Sequence, residues 1–115
     1  MPRFGDVMRG RGLCDARGAG FCATAIRLPH GEVGVVALCV NGNTLSIYEM
    51  GTRSEPGDLL YSVPLREVGD LYVCMGQIHQ KLRFTWRGED YVFSKFLGVR
   101  AALDVIKEES RGKGL

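Results

Sequence analysis

No apolar run in this chain is long enough to cross a bilayer. The longest stretch of apolar residues and glycine, "VGVVALCV", is eight residues, against the roughly twenty a spanning helix needs. The amino terminus has no basic-then-apolar pattern of a secretory leader. Charge of one sign is not in excess: fifteen Lys plus Arg against thirteen Asp plus Glu leave +2, too little to imply an electrostatic search for nucleic acid or anionic lipid. The four cysteines, Cys14, Cys22, Cys39 and Cys74, contain no CxxC pair. Free buried thiols in a cytoplasmic protein are therefore the expectation, since reduced cysteine packs as a small hydrophobe.

What is present is ordinary globular material. With 115 residues, 45% apolar and 24% charged, the chain has enough to bury one core and form one soluble domain. Residues 1–18, "MPRFGDVMRGRGLCDARG", hold four Arg and four Gly without a sustained period and are predicted to form a flexible arm. The domain is placed at residues 19–110, with a frayed tail over 111–115.

From "GFCATAIR" onward, short runs of β-branched and aromatic residues alternate with turn signals such as "PHGE", "NGN", "GTRSEPGD" and "RGED", the pattern of an antiparallel all-β domain. Seven strands are predicted, near 19–27, 33–40, 44–50, 59–63, 70–76, 81–87 and 90–95. In "VALCVNGNTLSIYEM" a type I′ turn at Asn41–Gly42 would set Leu38 opposite Leu45 and Val36 opposite Ile47. Sliding the turn to Gly42–Asn43 keeps the same faces. In "KLRFTWRGEDYVFSKF" a turn at Gly88–Glu89 would set Trp86 opposite Tyr91 and Phe84 opposite Phe93. Between the two hairpins Leu59, Tyr61 and Val63 alternate, and Pro64, which has no N–H to donate, should bend or end that strand. A single helix over 98–110 follows, with Val99, Ala102, Leu103 and Ile106 on one side and Arg100, Asp104, Lys107 and Glu108 on the other.

This layout resembles the small bacterial members of the pleckstrin-homology-like (PH-like) domain family. The likeness is carried by "ALCVNGNTLSIYEM", "YSVPLREVGDLYV", "LRFTWRGEDYVFSKF" and "VRAALDVIKEE", spanning about residues 19–109. It implies a mainly β fold: a seven-stranded antiparallel, strongly bent sheet or partly open barrel capped by one C-terminal helix. Two departures stand out. Eukaryotic members resemble one another in a tryptophan on the closing helix, whereas the single Trp here, Trp86, falls on a strand. Phosphoinositide-binding members cluster Lys and Arg around the loop joining the first two strands, whereas "RLPHGEVG" offers Arg27 and His30 beside Glu32. A cluster able to hold several phosphates is missing, so lipid binding is not implied.

Motifs with chemistry are sparse. "GAGFCA" formally fits G-x-G-x-x-A through Gly18, Gly20 and Ala23, but the strand before and helix after that pyrophosphate binding requires are absent from the pattern. Structural zinc gathers ligands in close pairs, whereas seven residues intervene between Cys14 and Cys22 and four between Cys74 and His79. Nothing positions either thiol against a base held by a third group. No catalytic residue, metal or cofactor is expected, and an enzyme is the unfavoured reading. Arg3, Arg9, Arg11 and Arg17 could reach a nucleic acid, but Asp6 and Asp15 halve that charge, and no nucleic acid is expected.

The expectation is thus a non-enzymatic module for protein interaction or self-association through strand edges or grooves. Tyr48 and Tyr72 would supply outward-facing contact area. The alternative is a membrane-surface or anionic lipid-headgroup module in which Arg27, His30 and the arginines of the arm face anionic lipid.

Overall fold

The computed structural model describes residues 20–31, 34–50, 56–96, 103–104 and 106–108. The predicted arm over 1–18 and the tail over 111–115 lie outside the described residues. Seven strands follow in order: β1 (Gly20–Arg27), β2 (Gly34–Asn41), β3 (Thr44–Met50), β4 (Pro56–Pro64), β5 (Gly69–Met75), β6 (Gln80–Trp86) and β7 (Glu89–Ser94). They form one antiparallel sheet in the order β4-β3-β2-β1-β7-β6-β5.

The sheet must bend, and chain length shows why. Laid flat at ~4.8 Å per strand, β4 and β5 would stand roughly 29 Å apart. Only Leu65–Val68 joins them, a connection reaching at most about 17 Å. Pro64 ends β4, as its missing N–H predicts, and the next three residues form a single 3₁₀ turn, Leu65–Glu67. That corner is tied to the β2–β3 turn by the Leu65 N–H, which donates to the Asn43 carbonyl at 2.8 Å. Leu65 itself is fully buried. The seven strands wrap around one core without closing, because β4 and β5 remain the two edges.

Inward residues alternate along each strand, as a half-buried sheet requires. Phe21, Ala23 and Ala25 of β1, Leu38 and Val40 of β2, Leu45 and Ile47 of β3, and Leu82 and Phe84 of β6 meet Tyr91 and Phe93 of β7 in a single cluster. The rings are arranged edge to face: Phe84 to Tyr91 at 4.8 Å, Phe84 to Phe93 at 6.2 Å and Tyr61 to Tyr91 at 5.4 Å between centroids. Leu103 and Ile106, three positions apart in the helical segment near the carboxy terminus, are buried in the same cluster, while Asp104 and Lys107 are exposed. The described part of the helix therefore has the expected apolar side facing the core.

Both hairpin registers differ from the expectation by one residue pair, and turn chemistry explains each. In the first, Val40 pairs with Leu45 and Leu38 with Ile47, so Gly42 and Asn43 form the turn. Gly42 has φ 62°, and Asn43 is not among the residues of positive φ, the glycine-first arrangement of a type II′ turn. The slide also sets Val40 against Leu45 instead of Asn43. In the second, Phe84 pairs with Tyr91 and Leu82 with Phe93, leaving Arg87 and Gly88 as the turn. Their φ values of 52° and 77° are both in the left-handed region, as type I′ requires. Arg87 in that conformation also lies over Trp86, with its guanidinium carbon 4.5 Å from the ring centroid. A third difference is on β4. The β3–β4 register shifts between Ile47 and Tyr48, so Leu59 pairs with Tyr48 and turns out to solvent, while Leu60 packs against the core. The predicted Leu59–Tyr61–Val63 alternation breaks at this bulge.

Candidate functional site

The outward face of β1, β7, β6 and β5 carries the candidate site. Strand register lays its side chains in rows, because residues opposite one another in a sheet share a face. One row runs Arg27, Val92, Arg83, Tyr72, and the next runs Thr24, Ser94, Lys81, Cys74. Each outward position is set by an inward neighbour: Lys81 and Arg83 flank buried Leu82, and Arg83 precedes buried Phe84. Between the rows a register shift at Ala25/Arg27 leaves Ile26 half exposed.

Of these, Ile26, Tyr72, Cys74, Lys81, Val92 and Ser94 line an open cleft of ≈ 400 Å³, while Arg83 stands beside it on the same face. Ile26, Val92 and Tyr72 supply its apolar lining, and Cys74, Lys81, Ser94, His79 and Gln80 complete it. His79 ends the β5–β6 connection and Gln80 opens β6, and this connection has its own internal bonds. The Gln80 side-chain amide donates to the Gly76 carbonyl at 2.7 Å and to the Gln77 carbonyl at 3.3 Å, and the Cys74 thiol lies 3.7 Å from the His79 carbonyl. A Cβ on Gly76 would come within 2.9 Å of that same carbonyl oxygen. Gly76→Ala is accordingly expected to cost about 1–3 kcal/mol, since backbone must move to admit the methyl. Urea denaturation measures this, and an unchanged midpoint would contradict the turn geometry.

The four residues singled out from sequence are not brought together. Tyr72, 49% exposed, lines the cleft. Arg27 lies in register on the same face, but its guanidinium is 3.8 Å from the Asp90 carboxylate, in a largely exposed pair. A turn at Gly88–Glu89 would have set Asp90 opposite Arg87; in the observed register it stands opposite Thr85. His30 is elsewhere: its ring is 5.7 Å from that of Tyr61, and its backbone N–H donates to the Tyr61 hydroxyl at 3.3 Å. Tyr48 is half-buried on the outward side of β2–β3, packed with Met50 on Ala37 and Cys39. Sequence reasoning missed Ile26, Val92, Lys81 and Arg83. The inward Leu82 and Phe84 signal that Lys81 and Arg83 point outward, but the strands they stand beside are known only from register.

The cysteines divide. Cys22 and Cys74 are free and half-buried. Cys39 is fully buried and disulfide-bonded, which corrects the expectation of four thiols. Its side chain lies opposite the core-facing Leu38 and Val40, in a separate cluster with Ala37. Cysteine usage therefore no longer supports a reducing compartment. Burial pushes the Cys22 thiol above its ordinary value of 9.0, because desolvation disfavours the thiolate. The native state thus holds this proton more tightly than the unfolded chain. Its contribution to stability is present below pH 9 and is lost as pH rises through the folded value. Alkylation of Cys22 by iodoacetamide is expected to accelerate with a midpoint above pH 9; a midpoint at or below 9 would contradict the burial.

Among the described residues no cluster of three His, Cys, Asp or Glu could hold a metal ion, and no helix is long and apolar enough to cross a membrane. No protein-family model matches the chain, and no curated protein matches it. Its fold, however, is similar to a solved structure, the pleckstrin homology domain of ArhGAP27. The likeness has a TM-score of 0.51 at 16% identity and covers 83% of this chain and 96% of that one. The seven-stranded open sheet, the core-facing helical segment and this likeness define a PH-like fold.

Proposed function

We propose that the chain is a non-enzymatic PH-like interaction module, of the small bacterial type, that holds an extended segment of a protein partner along β5 and in the adjoining cleft. The observation that carries this reading is the condition of β5. It is an edge of the sheet, none of its residues is buried, and Leu71–Met75 contains no proline. An exposed edge offers unpaired backbone N–H and C=O groups to another strand. The other edge, β4, is less suited to pairing. It begins and ends in proline, and its register with β3 shifts twice, features that disfavour strand addition. Apolar contact area lies beside β5 in Tyr72, Met75 and Ile78, all exposed.

The anionic-lipid alternative draws less support. Arg27 is paired with Asp90 and His30 is engaged with Tyr61, so neither stands as part of a phosphate-holding cluster. The interaction reading is tested by selecting binders from a displayed peptide library and mapping amide hydrogen exchange. Bound peptides are expected to protect Leu71–Met75, and a bulky maleimide on Cys74 should block capture. Failure to select any binder, or protection confined to other strands, would overturn the reading. Salt-sensitive sedimentation with phosphatidylserine vesicles would support the lipid alternative instead.

A further inference from the structure

We infer that the segment taken up at this cleft is acidic: an extended peptide that places one large apolar side chain against Tyr72, Ile26 and Val92 and sets carboxylates at Lys81 and Arg83. This rests on the interaction reading above and gives the partner its chemistry.

The first observation is an uncompensated charge. Lys81 and Arg83 are exposed and held outward by the buried Leu82 between them. Neither has an ion pair among the described residues, where the pair on this face is Arg27 with Asp90. The acids of the neighbouring elements are committed or remote, and Glu89 of β7 stands opposite Trp86, three positions beyond Arg83. Asp90 stands opposite Thr85, beyond Arg83, and faces Arg27. Glu67 accepts the Trp86 indole N–H at 3.0 Å. Asp70 is at the start of β5, at the opposite end of the strand from Cys74. The cleft thus has Lys81 in its lining and Arg83 next to it on the same face, beside apolar Ile26, Val92 and Tyr72, with no acid among its lining residues.

The second observation is spacing. Lys81 and Arg83 are two positions apart on one strand, so their Cα atoms stand about 6.8 Å apart. Carboxylates at alternate positions of a peptide running along β5 have that same spacing. Lys81 is opposite Cys74 and Arg83 opposite Tyr72, so each cation has one strand to reach across, within the span of a long flexible side chain. The charges would then select and orient the segment, while the apolar side chain and the backbone of β5 hold it.

A second copy of the chain is a poorer occupant. Pairing β5 with β5 of another copy about a two-fold axis would put Lys81 and Arg83 of both on one continuous face and bring neither of them an anion.

The test uses the full chain and three dye-labelled nonapeptides of equal apolar content, read by fluorescence anisotropy. One carries two glutamates at alternate positions beside a leucine, the second has glutamine at those positions, and the third lysine. The acidic peptide is expected to bind at least about tenfold more tightly than the glutamine peptide and to weaken with salt, with the lysine peptide weakest. The double variant Lys81→Glu, Arg83→Glu, checked for an unchanged melting temperature, should lose the acidic peptide and favour the lysine one. Equal binding of all three with protection of β5 would overturn the acidic inference and leave the interaction reading standing. Binding of none of them would overturn the inference. If a phosphatidylserine vesicle or an oligonucleotide then bound through Lys81 and Arg83, or a dimer formed through β5, the peptide reading would fail with it.

Discussion

Replacing Phe84 with alanine is expected to lower stability by about 3–5 kcal/mol. A domain of this size has roughly 6–17 kcal/mol in total, so the loss takes a large share of it. The side chain is 1% exposed and lies between two rings, Tyr91 at 4.8 Å and Phe93 at 6.2 Å. Tyr91 in turn meets Tyr61 of β4 and Trp86 of β6. Those rings come from strands on both halves of the bent sheet, so no single strand can shift to fill the hole without losing another edge-to-face contact. Truncation should therefore leave much of its cavity unfilled, placing the cost toward the upper end of that range. A melting temperature lower on the order of 15 °C is expected by calorimetry. Thr85→Ala, the next residue on the outward face, should stay within ~0.5 kcal/mol. If the Phe84 variant lost less than 1 kcal/mol, the aromatic cluster would not be the centre of the core.

The strands were legible in the sequence because alternation survives most errors of detail. A turn displaced by one residue slides the pairing by two, and a slide of two returns every side chain to the same face. That is why both hairpins could be misregistered while Leu38, Leu45, Phe84 and Phe93 were still directed inward. What decided the register was backbone conformation at Gly42, Arg87 and Gly88, and arginine carries no compositional sign that it will adopt a left-handed turn. Leu59 and Leu60 show the limit of alternation itself. They are adjacent leucines, and only the β3–β4 bulge determines which is exposed.

The candidate site was less legible because its parts come from distant segments. Tyr72 was readable as outward-facing. Its grouping with Ile26 and Val92 depends on the order β1-β7-β6-β5, which brings the first strand beside the last. Arg27 and His30 looked alike as residues near one loop, yet their partners, Asp90 and Tyr61, lie on different strands far along the chain. Tyr48 has the outward alternation of β3, but it packs on the buried Ala37 and Cys39, and spacing alone does not reveal that packing.

The run "VVALCV", residues 35–40, makes the sharpest test of the fold, because its continuous apolar character hides which residues carry the core. Val35 is 54% exposed and Val40 is fully buried on the same strand. Val35→Asp should cost about 1 kcal/mol or less, mostly the poorer fit of aspartate to a strand. Val40→Asp should cost more than about 4 kcal/mol at neutral pH, since it puts an unpaired carboxylate against Leu45 in an apolar interior. Burial would raise the folded-state pKa of that new carboxyl above its unfolded value. The native state then binds the proton more tightly, so the Val40→Asp variant should regain part of its stability as pH falls toward 4. The same variant distinguishes the two turns. With Asn41–Gly42 as the turn, position 40 would sit opposite Asn43 at the hairpin mouth, where water and an amide could solvate the charge. With Gly42–Asn43, it sits opposite Leu45, where neither can. Urea unfolding at pH 7 and pH 4 measures the difference. A Val40→Asp domain as stable as the Val35→Asp one would overturn the observed register.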